Sequence, residues 1–135
     1  METEARRHRV TVVDDDEDIL ALMRDIIAGM GHDPTTLDGR DLTIETVAAT
    51  RPDLLILDLR LPLGQDQLTG VELLKLLRRH RAMRRVPVIL CSADAQGLAA
   101  ASSEHDLEGM HVLTKPFDLD TLEARIREAI AGSSG

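Results

Sequence analysis

Aromatic residues and cysteine are nearly absent from this sequence, which has one phenylalanine, no tyrosine, no tryptophan and a single cysteine, Cys91. Binding of single-stranded nucleic acid by base stacking is therefore disfavoured, because it needs aromatic platforms. One cysteine also excludes an internal disulfide and any zinc site built from several cysteines. No apolar run approaches the roughly 20 residues of a membrane-spanning helix, and the polar start METEARRHRV lacks the apolar segment of a signal peptide. We therefore expect a cytoplasmic location.

The composition indicates a single acidic globular domain. The 135 residues include 24 acidic and 16 basic side chains, for a formal net charge of −8, and 43% of them are hydrophobic. A chain of this length can bury a core but leaves little room for a second domain. The negative balance disfavours direct binding of nucleic acid or of an anionic membrane, since both need a positive surface.

Short apolar or β-branched runs alternate with longer segments of helical periodicity along the chain. The predicted strands are Val10–Val13, a weaker one near Asp33–Leu37, Leu54–Leu57, Val88–Cys91 and His111–Leu113. The predicted helices are Glu17–Met30, a short Leu42–Thr50, Val71–Met83, a marginal Gln96–Leu107 and Leu119–Ala131. Five strand–helix units in this order predict an α/β fold, in which helices cover both faces of a parallel sheet. Sites in such open sheets lie at the carboxyl ends of the strands.

Five consecutive acidic residues, from Asp14 to Asp18, follow the first predicted strand. Acidic side chains favour the first turn of a helix, so capping explains one or two of them. Five adjacent negative charges repel one another, and a bound divalent cation would relieve that repulsion. From this run alone, a metal site and a solvated acidic helix start are equally good hypotheses.

Asp58 directly follows the apolar run Leu54–Leu57, which has the continuous pattern of a central strand covered on both faces. The first and third strands are plausible neighbours in a parallel sheet, which would bring Asp58 beside Asp14 and Asp15. Mg²⁺ suits such a cluster, because it takes oxygen ligands and shares its site with phosphate. A carboxylate there can also act as a nucleophile toward phosphorus.

Ser92 and Lys115 follow the fourth and fifth predicted strands. A lone serine is weak support for a site, but lysine is scarce: the 16 basic residues are 14 arginines and two lysines, Lys75 and Lys115. A compact ammonium group can reach a phosphoryl group in a tight pocket where a planar guanidinium fits less well. Chance placement remains the alternative.

Four motifs together resemble the receiver (CheY-like) domains of bacterial two-component response regulators. They are Val12-Val13-Asp14-Asp15-Asp16, Asp58-Leu59-Arg60-Leu61-Pro62, Ser92-Ala93 and Lys115-Pro116-Phe117. Each motif is weak alone, but all four occur in the family's order and spacing, and the resemblance covers roughly Arg9 to Ile130. It implies a flavodoxin-like (βα)5 three-layer sandwich with strand order 2-1-3-4-5. It also implies a receiver domain at 9–131, with flexible termini at 1–8 and 132–135.

The resemblance further implies that Asp58 is the phosphoacceptor. Asp15 and Asp58 would ligate Mg²⁺ directly, the Arg60 backbone carbonyl would complete the protein's share, and Asp14 would act mainly through a bound water. The phosphoryl group would come from a phosphohistidine on a sensor histidine kinase or a phosphotransfer protein.

Ser92 would then turn its hydroxyl toward the new phosphoryl group, and Lys115 would pair with the same group. The Lys115-Pro116 peptide bond would be cis. The domain would relay the signal by conformational change to a downstream protein or a second copy of itself. It would be a phosphoacceptor capable of self-dephosphorylation rather than a dedicated enzyme.

Two departures from the family pattern bear on how the domain would work. Val112 stands where the family often has the tyrosine or phenylalanine that swings inward on activation. The segment Leu63–Thr69 contains an insertion beside the phosphorylation site.

Two other functions are open to a chain of this pattern. A pseudo-receiver would keep the fold without phosphorylation and act as a protein-interaction module, but it would be expected to lack an acid, Asp58 or Lys115. A Mg²⁺-dependent phosphohydrolase would need a second acid two residues after its nucleophile, where this chain has Arg60. A nucleotide-binding role has no glycine-rich phosphate loop to support it.

Overall fold

The computed structural model describes residues 7–39, 43–58, 70–93 and 110–133. Its strands are β1 (Arg9–Val13), β2 (Asp33–Leu37), β3 (Leu54–Asp58), β4 (Val88–Ser92) and β5 (Met110–Thr114). Its helices are α1 (Glu17–Gly29), α2 (Ile44–Ala49), α3 (Gly70–Arg79) and α4 (Leu119–Ser133). The predicted helix Gln96–Leu107, the inserted segment Leu63–Thr69 and Arg60 lie outside the described residues, as do most of the predicted flexible termini.

The five strands form one parallel sheet in the order β2-β1-β3-β4-β5, which confirms the predicted fold class and strand order. β1 lies between β2 and β3, and its last residue, Val13, is in register with Leu37 and Leu57. The residues that follow β1 and end β3 therefore meet at the carboxyl edge of the sheet. None of the helices in the described ranges is long and apolar enough to cross a membrane.

Hydrophobic cores lie on the two faces of the sheet and complete a three-layer arrangement. On one face, α2 and α3 contribute Val47, Leu73, Leu74 and Leu77. On the other face, α1 and α4 contribute Leu20, Met23, Ile27, Leu122 and Ile126. All five residues of β3 are buried, as expected for a continuous apolar run covered from both sides. This packing holds the strand ends, and so the site, in a fixed position.

Helix boundaries differ from the sequence prediction mainly in α3. That helix ends at Arg79 instead of continuing to Met83. The His80 side chain accepts a hydrogen bond from the backbone N–H of Ala82 at 3.2 Å, and the chain turns there before β4. At the other end of the sequence, α4 continues to Ser133, two residues beyond the predicted domain limit.

His8 and His32 meet at the amino edge of the sheet, with ring centroids 5.2 Å apart. The backbone N–H of His8 donates to Nδ1 of His32 at 3.1 Å, so His32 must be unprotonated at that nitrogen. Burial and the nearby charge of His8 lower the pKa of His32, although Asp33 and Asp53 oppose the shift.

We expect acid to weaken the fold through His32. A histidine with a lowered pKa resists protonation in the folded state, so stability falls as the pH drops below 6.5, the ordinary value, and through the folded pKa. The effect should be small, because solvent screens this partly exposed ring. His32→Asn keeps an acceptor near the position of Nδ1 and should reduce the loss of stability between pH 7.5 and 5, measured by urea unfolding. An unchanged loss would contradict this assignment.

Candidate functional site

Asp14 is fixed at the carboxyl end of β1 by two backbone contacts. Its N–H donates to the carbonyl oxygen of Leu37, the last residue of β2, at 3.1 Å. Its side-chain Oδ1 accepts a hydrogen bond from the N–H of Asp16 at 2.9 Å. The carboxylate is almost fully buried, with 4% of the side chain exposed. Asp14 is therefore a buried anion whose orientation is set by the turn that leads into α1.

The acidic run is divided between two roles. Asp16 is the N-cap of α1, and its Oδ1 accepts hydrogen bonds from the N–H groups of Asp18 and Ile19 at 2.9 and 3.3 Å. Glu17 and Asp18 lie in the first turn, where they suit the helix dipole. Asp14 and Asp15 instead belong to a carboxylate cluster. The helix-start hypothesis thus holds for Asp16, Glu17 and Asp18, whereas Asp14 and Asp15 lie in a group of carboxylates that could hold a metal ion.

Asp58 ends β3 beside the end of β1 and joins that cluster, as the sequence analysis predicted. Carboxylate oxygens of Asp14, Asp15 and Asp58 all lie within 4.8 Å of one another. Asp14 and Asp58 are buried, whereas Asp15 is exposed at the mouth of the site. Three carboxylates at one point, open to solvent on one side, suit a hard cation that keeps several waters, so the donor set fits Mg²⁺.

Lys115 brings the positive charge of the described site. Its Nζ donates to Oδ2 of Asp14 at 2.9 Å and to Oδ2 of Asp58 at 3.4 Å. Burial by itself lowers the pKa of Lys115, but the hydrogen bond and charge of Asp14, together with the charge of Asp58, raise it above its ordinary value. The ammonium group is thus firmly protonated and acts as the counter-ion of two buried carboxylates.

Ser92 and the Lys115 backbone connect the ends of β4 and β5. The N–H of Lys115 donates to the carbonyl oxygen of Ser92 at 2.8 Å, and the Lys115-Pro116 peptide bond is cis. Ser92 is 1% exposed and is in register with Thr114. Both residues therefore lie at the same edge of the sheet as the acid cluster.

Cys91 lies next to the phosphoacceptor candidate but belongs to the core. It pairs in register with Asp58, and it packs among the apolar side chains of the face covered by α1 and α4. Burial raises the pKa of its thiol to about 12; Asp58 and Asp14 add to the shift, and Lys115 opposes it. The thiol is therefore neutral at physiological pH.

Sequence reasoning missed two features of the site. Asp14, which the resemblance gives a water-mediated metal role, is the nearer resting partner of Lys115. The carbonyl of Leu37, at the end of the weakest predicted strand, holds the Asp14 backbone. The low solvent exposure of Asp14 follows from the apolar run before it and could have indicated a paired charge.

A doubly wound parallel α/β domain with a carboxylate cluster and a lysine at its carboxyl edge is the class of protein that this fold and site define. The family model for the response regulator receiver domain matches residues 10–127. The chain therefore belongs to the response regulator receiver domain family of two-component systems.

Individual relatives agree with this membership. The chain is 36% identical over 126 residues to the DNA-binding transcriptional regulator NtrC of Escherichia coli, a match that covers 93% of this chain and 25% of NtrC. A sensor protein from Polaromonas is 28% identical with a TM-score of 0.80, covering 95% of this chain and 99% of that one. The receiver domain of a sensor histidine kinase from Pseudomonas aeruginosa, 21% identical with a TM-score of 0.78, covers 93% of this chain and 99% of that one and shares the fold. The chain spans about a quarter of the length of NtrC.

Proposed function

We propose that this domain accepts a phosphoryl group on Asp58 from a phosphohistidine of a sensor histidine kinase or a histidine phosphotransfer protein. The observation that carries the proposal is the cluster of Asp14, Asp15 and Asp58 together with Lys115. These groups surround one carboxylate, Asp58, that ends a rigid buried strand and can attack an incoming phosphorus atom. None of the charged groups that the proposed reaction requires at the strand ends is replaced by a neutral one.

The transfer requires no net acid or base chemistry from Asp58. A carboxylate oxygen of Asp58 forms a bond to phosphorus, and the phosphorus–nitrogen bond of the donor breaks. The electron pair stays on the imidazole nitrogen of the donor histidine, which then holds or takes up a proton from water. When bound, Mg²⁺ would neutralise the charge on the transferring phosphoryl oxygens. Asp15 and Asp58, with Asp14 through water and the backbone carbonyl of Arg60, would hold it.

Ser92 and Lys115 would respond to the product. The new phosphoryl group adds about −1.5 to −2 charges at the strand ends. Lys115 would move from its carboxylate partners toward a phosphoryl oxygen, and the Ser92 hydroxyl would donate to another. Because the backbones of these residues are joined by a hydrogen bond, both movements act on the ends of β4 and β5. This coupling would carry the signal to a downstream protein or a second copy.

Val112 affects how far that signal spreads. It lies on β5 with 39% of its surface exposed, in the position where the family often has an aromatic side chain. Valine has no aromatic ring that could move between an exposed and a buried rotamer. The response of this domain would therefore pass mainly through backbone shifts at the strand ends.

Removal of Asp15 tests the metal assignment. Mg²⁺ at ten times its dissociation constant should stabilise the wild-type domain by about 1.4 kcal/mol, because the folded cluster binds it and the unfolded chain does not. Asp15→Ala should abolish that increase, measured by thermal or urea unfolding with and without Mg²⁺. Without Mg²⁺, the variant should be as stable as the wild type or slightly more stable, since one of three clustered negative charges is gone.

Asp18→Ala is the matched control, because it removes another exposed aspartate, which lies in α1 outside the cluster. It should keep the full response to Mg²⁺. A full response in Asp15→Ala would show that the ligand assignment is wrong.

A further inference from the structure

Arginine is concentrated at the end of α3 and in the connection that leads from it to β4, Arg78–Arg85, which we call the arginine loop. Between Leu73 and Ala93 the sequence has six basic residues and no acidic residue, whereas the rest of the chain has ten basic and 24 acidic residues. Five of those six are arginines of the arginine loop. An acidic domain therefore carries one compact region of strong positive charge.

The arginine loop lies far from the acid cluster. It leads into the first residue of β4, Val88, at the amino edge of the sheet, while Asp58 and its neighbours lie at the carboxyl edge. A strand of this length separates the two edges by about 15 Å. Salt screens exposed charges over about 8 Å at physiological ionic strength. The arginines therefore do not serve to neutralise the carboxylates of the site.

Backbone hydrogen bonds give the arginine loop a defined shape. The carbonyl oxygen of His80 accepts from the N–H groups of Met83 at 3.0 Å and Arg84 at 2.9 Å. Met83 is 2% exposed and anchors the turn in the core. From inside the turn, Nη1 of Arg78 donates to the carbonyl oxygens of Arg84 at 2.8 Å and Val86 at 3.3 Å. The loop is thus a rigid support for the side chains that it presents.

Arg78 contributes to this shape at a cost. Its Nε and Nη2 atoms are buried and have no hydrogen-bond partner among the residues that the structure describes. Burial lowers the pKa of its guanidinium group. Unsatisfied buried donors are rare in native proteins because they cost stability, and they call for an explanation. Here the explanation is the fixed turn that Arg78 maintains.

The outward-facing arginines are exposed and have no counter-ion in the described structure. Arg79, Arg81, Arg84 and Arg85 are all exposed. Within the described residues, no ion pair and no side-chain hydrogen bond engages their guanidinium groups. The dipole of α3 accounts for basic residues in its last turn only, where Arg79 lies. Three exposed arginines beyond the helix end remain without a structural role.

We propose that the arginine loop binds a carboxylate-rich peptide segment of a partner protein. Guanidinium groups form paired hydrogen bonds with carboxylates, and a rigid turn presents several of them at once. A short flexible acidic peptide can stay within the small area of the loop. A long rigid polyanion such as duplex DNA would extend over the acidic remainder of the domain and be repelled by it. Single-stranded nucleic acid is also disfavoured as the partner, because this protein lacks the aromatic side chains on which unpaired bases stack.

The test measures binding of a fluorescein-labelled oligoglutamate peptide to the whole domain by fluorescence anisotropy. We expect saturable binding that weakens as the salt concentration rises, as for exposed charge pairs. The triple variant Arg81→Gln, Arg84→Gln and Arg85→Gln should bind about tenfold more weakly or worse. Its melting temperature should stay close to that of the wild type, because these side chains are exposed.

The triple variant Arg24→Gln, Arg125→Gln and Arg127→Gln is the matched control, with the same loss of charge on helices outside the loop. It should retain most of the affinity of the wild type. Equal losses in the two variants, or wild-type binding that is not saturable, would overturn the proposal.

Two further outcomes would replace the proposal with another. Tighter loop-dependent binding of a duplex DNA probe than of the peptide would assign the loop to nucleic acid. A dimer seen by sedimentation in the wild type and lost in the loop variant would assign it to a second copy of the chain. Phosphorylation of Asp58 should be normal in both triple variants, so failure here leaves the proposed function intact.

Discussion

Asp58→Asn is expected to abolish phosphorylation of the domain by a small phosphodonor. Incubation of the wild type with acetyl phosphate and Mg²⁺ should add the mass of one phosphoryl group, detected by intact-protein mass spectrometry. An amide is a far weaker nucleophile toward phosphorus than a carboxylate, so the rate of adduct formation should fall at least about 100-fold. The variant should remain folded, because asparagine has nearly the same shape and relieves repulsion from Asp14 and Asp15.

Asp25→Asn is the matched control for this experiment. It makes the same chemical change at an exposed position of α1, away from the cluster, and should be phosphorylated as fast as the wild type. An equally modified Asp58→Asn variant would place the phosphoacceptor elsewhere. A wild type that neither forms the adduct nor binds beryllofluoride would favour the pseudo-receiver instead.

Lys115→Gln is expected to destabilise the metal-free domain by about 2–3 kcal/mol at pH 7. The substitution leaves two buried carboxylates, Asp14 and Asp58, without their shared counter-ion, and an uncompensated buried charge is costly. Mg²⁺ supplies the missing positive charge, so it should stabilise the variant more than it stabilises the wild type. Urea unfolding of both proteins, with and without Mg²⁺, measures the two effects.

Lys75→Gln is the matched control, because it removes the other lysine from an exposed position of α3. It should change the stability of the metal-free domain and the stabilisation by Mg²⁺ by no more than a few tenths of a kcal/mol. A Lys115→Gln variant as stable as the wild type would show that the ion pairs contribute nothing to the resting fold.

The raised pKa of Lys115 also determines how the stability of the domain changes at alkaline pH. Its stabilisation is complete below the ordinary value of 10.5 and is lost as the pH rises through the folded pKa. The Lys115→Gln variant should not show this loss of stability at alkaline pH.

The parts of the fold that could be predicted are those in which one local pattern controls the structure. The run Leu54–Leu57 is apolar at every position, which is typical of a strand covered on both faces, and it lies in the buried strand β3. The order of strands and helices then restricts the topology, which places the ends of β1 and β3 together. Asp14, Asp15 and Asp58 could therefore be grouped before any coordinates were known.

The features that could not be predicted depend on contacts between distant residues. α3 stops at Arg79 although Met83 continues its apolar periodicity, because the backbone turns at His80 and Arg78 holds the turn by its carbonyls. Nζ of Lys115 is 0.5 Å closer to Oδ2 of Asp14 than to Oδ2 of Asp58, and these two partners lie 101 and 57 residues away along the chain. Neither propensity nor spacing contains information about such distances.

The buried thiol of Cys91 makes the domain its own reporter of transient opening. With a pKa of about 12 and 2% exposure, the folded thiol is protected from alkylating reagents, so labelling requires the core around β4 to open. Because Cys91 neighbours Asp58 across the sheet, its labelling rate follows the movements of the strands that carry the site. Any ligand that closes the carboxyl edge should slow this labelling, and the single cysteine allows the rate to be measured without mutation or dye attachment.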